Sequence, residues 1–260
     1  MFKGDGAQRS VRQNAALAGP LAIVAGMVNA LGFLTLGIFT SHVTGHAGKL
    51  STEFAAGQTL EAWNSAWCMF AFFGGAFVAS LTIESRMVAS KPYAYSGLLF
   101  LEAALLVSFL FESPDGALRT ARVLNLCFAM GIQNGLVTRL SGAVVRTTHL
   151  TGIVTDLGIE AARWLQLGLA RLRRSWESSR EQSLASTHLP KAANGPAPSL
   201  PRVQLLLTIL VGFIAGGVLG AKAFVSFGPT AFVGPVLLLI AGGGLAFKNG
   251  MDTLGPASRQ

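Results

Sequence analysis

Apolar residues in this chain come in long blocks separated by short polar segments, not in the half-apolar stripes of a soluble helix. Six blocks are long enough, or nearly so, to cross a hydrocarbon core of ~30 Å at ~1.5 Å per residue. They cover residues 15–38, 63–83, 93–111, 121–140, 203–224 and 230–247. This pattern predicts an all-α integral membrane protein with six transmembrane helices.

Composition strengthens that reading. Hydrophobic residues make up 51% of the chain and charged residues 12%, about half the charge of a soluble domain; mean hydropathy is +0.52. The net charge of +8 would by itself suit a nucleic-acid partner. The basic residues, however, gather in alternate connections: Lys3, Arg9 and Arg12 in the first tail, Arg86 and Lys91 in the second connection, and a run from Arg163 to Arg202 in the fourth. The intervening connections are nearly balanced. The positive-inside bias then places both termini in the cytoplasm, with membrane lipid as a partner and no nucleic acid. The repeat described next begins inside the first block, so that block is expected to be a span and not a cleaved signal.

The two halves of the chain resemble each other. Thr40–Ala55 reads TSHVTGHAGKLSTEFA and Thr147–Ala162 reads TTHLTGIVTDLGIEAA. His42, Thr44, Gly45, Leu50 and Glu53 recur as His149, Thr151, Gly152, Leu157 and Glu160, always 107 residues on (149 − 42). Upstream, Gly26 and Asn29 recur as Gly131 and Asn134, 105 residues on (131 − 26). Each half holds three spans, so the second must be inverted relative to the first. The expected layout is a cytoplasmic tail 1–14, a first repeat 15–111, a second repeat 112–248 and a cytoplasmic tail 249–260. The second repeat includes a Ser- and Pro-rich cytoplasmic linker, 171–202, expected to be disordered.

The polar H-x-T-G segments follow the first span of each half, where transporters with inverted repeats carry short or broken helices. Thr44 or Thr151 is expected to supply the N-cap hydroxyl, with Gly45 or Gly152 letting backbone approach a ligand. Asn29, His42, Thr44, Gly45, Asn134, His149, Thr151 and Gly152 are therefore the candidate substrate-binding residues. A cap on an interfacial helix is the plainer alternative for the same segments.

These motifs also carry a family resemblance. GMVNALGFLTLGIFTSHVTGHAGKL and FAMGIQNGLVTRLSGAVVRTTHLTGIVTDLG resemble the two signature regions of YoaK-like bacterial membrane proteins, a family of unknown function. The resemblance covers most of the chain apart from the tails and the linker, and implies a multi-pass protein of the bacterial inner membrane without naming a substrate. Relatives generally read V-D-A and T-G-N where this chain has Val28-Asn29-Ala30 and Thr44-Gly45-His46. The missing acid removes a candidate proton or cation site at position 29.

Charges inside spans are costly and so are functional candidates. Glu102 falls near the middle of the third span, with Arg139 and Arg146 as its expected partners. Lys49 and Asp156 stand at equivalent repeat positions with opposite charge, a pair suited to gating. These five are the expected coupling or gating residues. His42 and His46 have i,i+4 spacing but lack an evident third ligand, and Cys68 and Cys127 are read as packing residues within apolar runs. No metal and no cofactor is expected. Small-residue ridges at Gly212, Gly216 and Gly220, and at Ala71, Gly75 and Ala79, suit close helix packing within the chain, a homodimer being their other use.

No catalytic constellation appears, so the chain is not expected to be an enzyme. The sequence points to a small secondary transporter with a midplane site between the repeats. Its substrate would be a small molecule or ion, with the helix termini favouring a small anion or organic acid. The alternative is a non-transporting membrane scaffold, receptor or assembly factor.

Overall fold

A computed structural model describes residues 10–84, 94–111, 118–181 and 198–253. All regular structure among them is helical. The elements in chain order are α1 (Val11–Leu36), α2 (Val43–Ala55), α3 (Thr59–Glu84), α4 (Ala94–Val107), α5 (Arg119–Leu140), α6 (Leu150–Glu181), α7 (Leu200–Phe227) and α8 (Val233–Thr253). A 3-10 turn, Ser108–Leu110, extends α4, and another, Gly228–Phe232, separates α7 from α8.

Each apolar block falls on one of α1, α3, α4, α5, α7 and α8. Val11–Leu36, Thr59–Glu84 and Leu200–Lys248 are long and apolar enough to cross a membrane, while Ala94–Leu110 is apolar but shorter. Asn125, Gln133, Asn134 and Arg139 lower the hydropathy of α5, which is not among them.

The chain forms two compact units: Met1–Thr148 with Thr208–Gln260, and His149–Leu207. In the first, α1 opens with a capping box. The Ser10 hydroxyl accepts from the Gln13 amide at 3.3 Å, and the Gln13 side chain accepts from the Ser10 amide at 2.8 Å. Gly37, at φ 71°, closes the helix by donating to the Phe33 carbonyl; the left-handed region explains a glycine there. On α3, Trp63, Trp67, Phe70, Phe73, Phe77 and Leu81 are exposed, while Ala62, Ser65, Ala66, Cys68, Gly75 and Ala79 are buried. Large side chains turned outward and small ones inward are what a helix surrounded by lipid requires.

Small residues allow two close crossings in this unit. A Cβ on Gly131 would run into the Phe72 carbonyl and approach the Ala76 amide of α3, and one on Gly75 would strike the Phe128 carbonyl of α5. Likewise a Cβ on Gly26 would run into the Phe213 carbonyl and approach the Gly217 amide of α7, and one on Gly216 would strike the Ile23 carbonyl of α1. The crossings match residue for residue. Gly26 and Ile23 stand 105 positions before Gly131 and Phe128 (131 − 26), while Phe72, Gly75 and Ala76 stand 141 before Phe213, Gly216 and Gly217 (213 − 72). Gly212 and Gly220 also lie against Gly19 and Met27 of α1, so the ridge on α7 is used within the chain.

The second unit corrects two expectations. The helix after the second H-x-T-G segment is not short: α6 has 32 residues, about 48 Å at the α-helical rise. It also runs through 171–181, a stretch expected to belong to the disordered linker. Trp164, Leu165, Leu169, Leu172 and Trp176 recur at three-, four- and neighbouring positions and are exposed along it, opposite polar and basic positions. That amphipathic spacing sustains a helix where the polar, Ser- and Arg-rich composition suggested none. Of the rest of the expected linker, Leu200–Arg202 already belong to α7 and 182–197 lies outside the described residues, as do tail residues 1–9 and 254–260. Near both ends the helices reach further than expected: α1 begins at Val11 and α8 ends at Thr253.

Candidate cavity at the start of α2

The turn leading from α1 into α2 is braced by Asn29. Its side-chain oxygen accepts from the Ser41 amide at 3.3 Å and from the Ser41 hydroxyl at 3.2 Å. The repeat-equivalent Asn134 does the same one half later, accepting from the Thr148 hydroxyl at 2.9 Å while donating to the Met130 carbonyl at 2.8 Å. Position 148 is 107 residues after 41, so both halves use an asparagine on a long helix to hold the hydroxyl residue just before the histidine.

Histidine, not threonine, takes the N-cap position. His42 precedes the first residue of α2, and its carbonyl accepts from the His46 amide at 3.1 Å. Within the second unit, the His149 carbonyl accepts from the Ile153 amide at 3.2 Å as α6 begins. Thr44 and Thr151 already lie inside the first helical turn and are exposed. The following glycine has a steric reason in each case, because a Cβ on Gly45 or Gly152 would collide with the ring of His42 or His149. H-x-T-G is thus a histidine folded over its own helix start.

A cavity of about 470 Å³ opens beside α2. The expected residues His42, Gly45 and Lys49 line it, together with His46, Glu53, Glu61, Asn64, Ser65, Cys68 and Arg119. Asn29, Thr44 and Asn134 do not line it; the asparagine amides are held by the hydrogen bonds above. His149, Thr151 and Gly152 belong to the other unit.

Both signs of charge are present in the lining. Lys49 Nζ pairs with Glu53 at 3.2 Å, and the other Glu53 oxygen accepts from Ser65 of α3 at 2.9 Å. Arg119 donates to the Leu36 carbonyl at 2.9 Å. His46 is buried, and that burial holds its imidazole below the usual value, against an opposing hydrogen bond to the Phe39 backbone. Its Nε2 has no hydrogen-bond partner among the described residues. Beside it, Cys68 and Cys127 bring their sulfurs within 4.8 Å of it and of one another. The long chain separation of the two cysteines gave no sign of this meeting.

The expected charge pairs are arranged differently. Arg139 pairs with Glu84 at the end of α3, not with Glu102. Arg146 is exposed. Glu102 is fully buried, and neither carboxylate oxygen has a hydrogen-bond partner among the described residues. Lys49 has its ion pair with Glu53, and Asp156 pairs with Arg202 at 3.0 Å in the second unit. In that unit Glu160, the equivalent of Glu53, bonds Arg163 at 2.7 Å and the Ser199 amide at 3.1 Å. Both repeat glutamates therefore tie the helix that carries them to the one that follows. Neither glutamate was among the expected site residues; the recurrence of an acid in both repeats was the sequence signal for their role.

The profile of a family described as a protein of unknown function, DUF1275, matches residues 17–245. Among curated proteins, the chain is 29% identical over 140 residues to the UPF0700 transmembrane protein YoaK of Bacillus subtilis, covering 53% of this chain and 62% of that protein. It is 28% identical over 149 residues to the UPF0700 transmembrane protein RA0705 of Rhizobium meliloti, covering 57% of this chain and 62% of that one. The matched region thus spans less than two thirds of either relative. No solved structure matches.

Proposed function

The chain belongs to the DUF1275 family of proteins of unknown function, a membrane protein by its apolar helices and its transmembrane relatives, and from that premise we propose that it is a small secondary transporter. The observation that carries the proposal is the cavity of about 470 Å³ where the turn after α1, α2 and the starts of α3 and α5 meet, with charged groups of both signs in its wall. A cavity of this size holds a small molecule. Lys49 and Arg119 supply cationic groups for a carboxylate, and Glu53 and Glu61 make a second polar or basic group on the same molecule acceptable. The substrate class is a small organic acid.

Six spans arranged as two inverted three-span repeats, in the bacterial inner membrane with both termini cytoplasmic, complete the proposal. The paired crossings of Gly26 with α7 and Gly131 with α3 support the repeat, because one set of equivalences relates both. Glu102 is the group proposed to carry a coupling proton, since its side chain has no hydrogen-bond partner among the described residues and lies in a helix of mostly apolar residues.

Counterflow in proteoliposomes with a panel of labelled small carboxylic acids tests the reading. Uptake of at least one acid, reduced ~10-fold or more in Lys49→Met or Arg119→Met, supports it. Absence of protein-dependent uptake across the panel, by correctly folded protein, would favour the scaffold or receptor alternative.

A further inference from the structure

We propose that His46, Cys68 and Cys127 form a binding site for a thiophilic d10 metal ion, Zn²⁺ or Cu(I), at the wall of the cavity beside α2. This goes beyond transport and does not depend on it. The three residues come from α2, α3 and α5, and all are buried, at 6%, 3% and 0% exposure. Their donor atoms lie within 4.8 Å of one another. Bonds of ~2.3 Å from sulfur and ~2.0–2.1 Å from imidazole nitrogen can therefore converge on one ion with side-chain adjustment.

The histidine is prepared for this role. Its Nε2 is buried and has no hydrogen-bond partner among the described residues. In the Nδ1-protonated tautomer that nitrogen carries a bare lone pair. A ligating histidine binds the metal through one ring nitrogen and keeps its proton on the other. Packing alone accounts for two buried thiols, but it leaves the buried Nε2 unsatisfied.

Donor type selects the ion. Two thiolates and an imidazole suit Zn²⁺ and Cu(I), not Mg²⁺ or Ca²⁺. Two thiolates neutralise a divalent ion, so Zn²⁺ gives an uncharged centre, favoured in buried surroundings. Binding exchanges two thiol protons for one Zn²⁺, releasing both to solvent. His46 and Cys68 line the cavity and Cys127 does not, so the ion has access from the cavity side and a fourth position open toward it.

Full-length protein in detergent, reduced and kept anaerobic, is titrated separately with Zn²⁺, with Co²⁺ as its spectroscopic substitute, and with Cu(I) against a chelating competitor. The expected result is one ion per chain, with a thiolate-to-cobalt charge-transfer band and two protons released by Zn²⁺. Cys68→Ser, Cys127→Ser and His46→Gln each weaken binding by more than ~100-fold, beyond the usual cost of losing an outer-shell contact, while His149→Gln in the other unit does not. Because a substituted protein can misfold, protection of wild-type Cys68 and Cys127 from a maleimide by stoichiometric Zn²⁺ is a second readout. Tighter Cu(I) than Zn²⁺ binding through the same residues supports the site and assigns the ion. No stoichiometric uptake of either ion by the reduced protein overturns the proposal, as does uptake indifferent to all three substitutions. A Cys68–Cys127 disulfide formed in air, with no metal uptake after reduction, also overturns it and makes the pair a redox couple instead.

Discussion

Asn134 and Thr148 are joined by a hydrogen bond of 2.9 Å from the threonine hydroxyl to the side-chain oxygen. Asn29 and Ser41 make the corresponding contact in the first half. A polar side chain inside a buried helix is tolerable when its groups are satisfied by the protein, and here that satisfaction also fixes where the chain turns toward the histidine. The link from sequence to structure is therefore a specific hydrogen bond repeated in both halves.

Removing either partner of that bond should destabilise the protein modestly. Asn134→Ala and Thr148→Val are each expected to cost about 1–2 kcal/mol, and the double variant less than the sum. Thermal unfolding in detergent measures all three, and additive costs would show that the contact contributes nothing of its own.

Glycine substitutions separate the crossings from open helix faces. Gly131→Ala and Gly216→Ala push a methyl group into facing backbone and are expected to cost about 1–3 kcal/mol or more. Gly158→Ala and Gly168→Ala on α6 meet nothing within 4 Å and should be neutral or stabilising by up to about 1 kcal/mol. Melting temperatures of the four variants, compared in one detergent, check the contrast.

Glu160 and Glu53 occupy equivalent positions, yet their neutralisation should differ. The Glu160 side chain is 2% exposed and faces two arginines, whereas Glu53 is 11% exposed and its ion-pair partner Lys49 is 62% exposed. Glu160→Gln is expected to lower stability by about 1–3 kcal/mol; Glu53→Gln, whose lost ion pair is largely solvent-screened, by less than about 1 kcal/mol. Unfolding at low and high salt tests the ranking, and equal losses would contradict it.

Glu102 provides a test of stability against function. Replacing its unsatisfied buried carboxyl with leucine should leave the melting temperature unchanged or raise it. If the carboxyl carries a proton during transport, Glu102→Leu and Glu102→Gln abolish uptake driven by a proton gradient while sparing exchange of substrate for substrate. A marked fall in stability in Glu102→Leu would instead reveal a structural partner.

The block pattern determined the helical class, the positions of the membrane-length helices and the correspondence between His42–Gly45 and His149–Gly152, because hydrophobic length and repeated motifs are local properties of a chain. It could not determine which side chains meet. His46 looked incomplete as a ligand because Cys68 and Cys127 reach it only through the packing of α2, α3 and α5. Arg139 looked like a partner for Glu102, but the meeting of α3 and α5 delivers it to Glu84. The second relation between halves, carried by Phe72, Gly75 and Ala76 against Phe213, Gly216 and Gly217, was marked in the sequence only by the small-residue ridges Ala71, Gly75, Ala79 and Gly212, Gly216, Gly220, and backbone contact at the glycines shows what they pack against. Sequence set how far each helix runs and where it can be approached closely. Only the tertiary structure decided the pairings, since they depend on side chains brought together from distant parts of the chain.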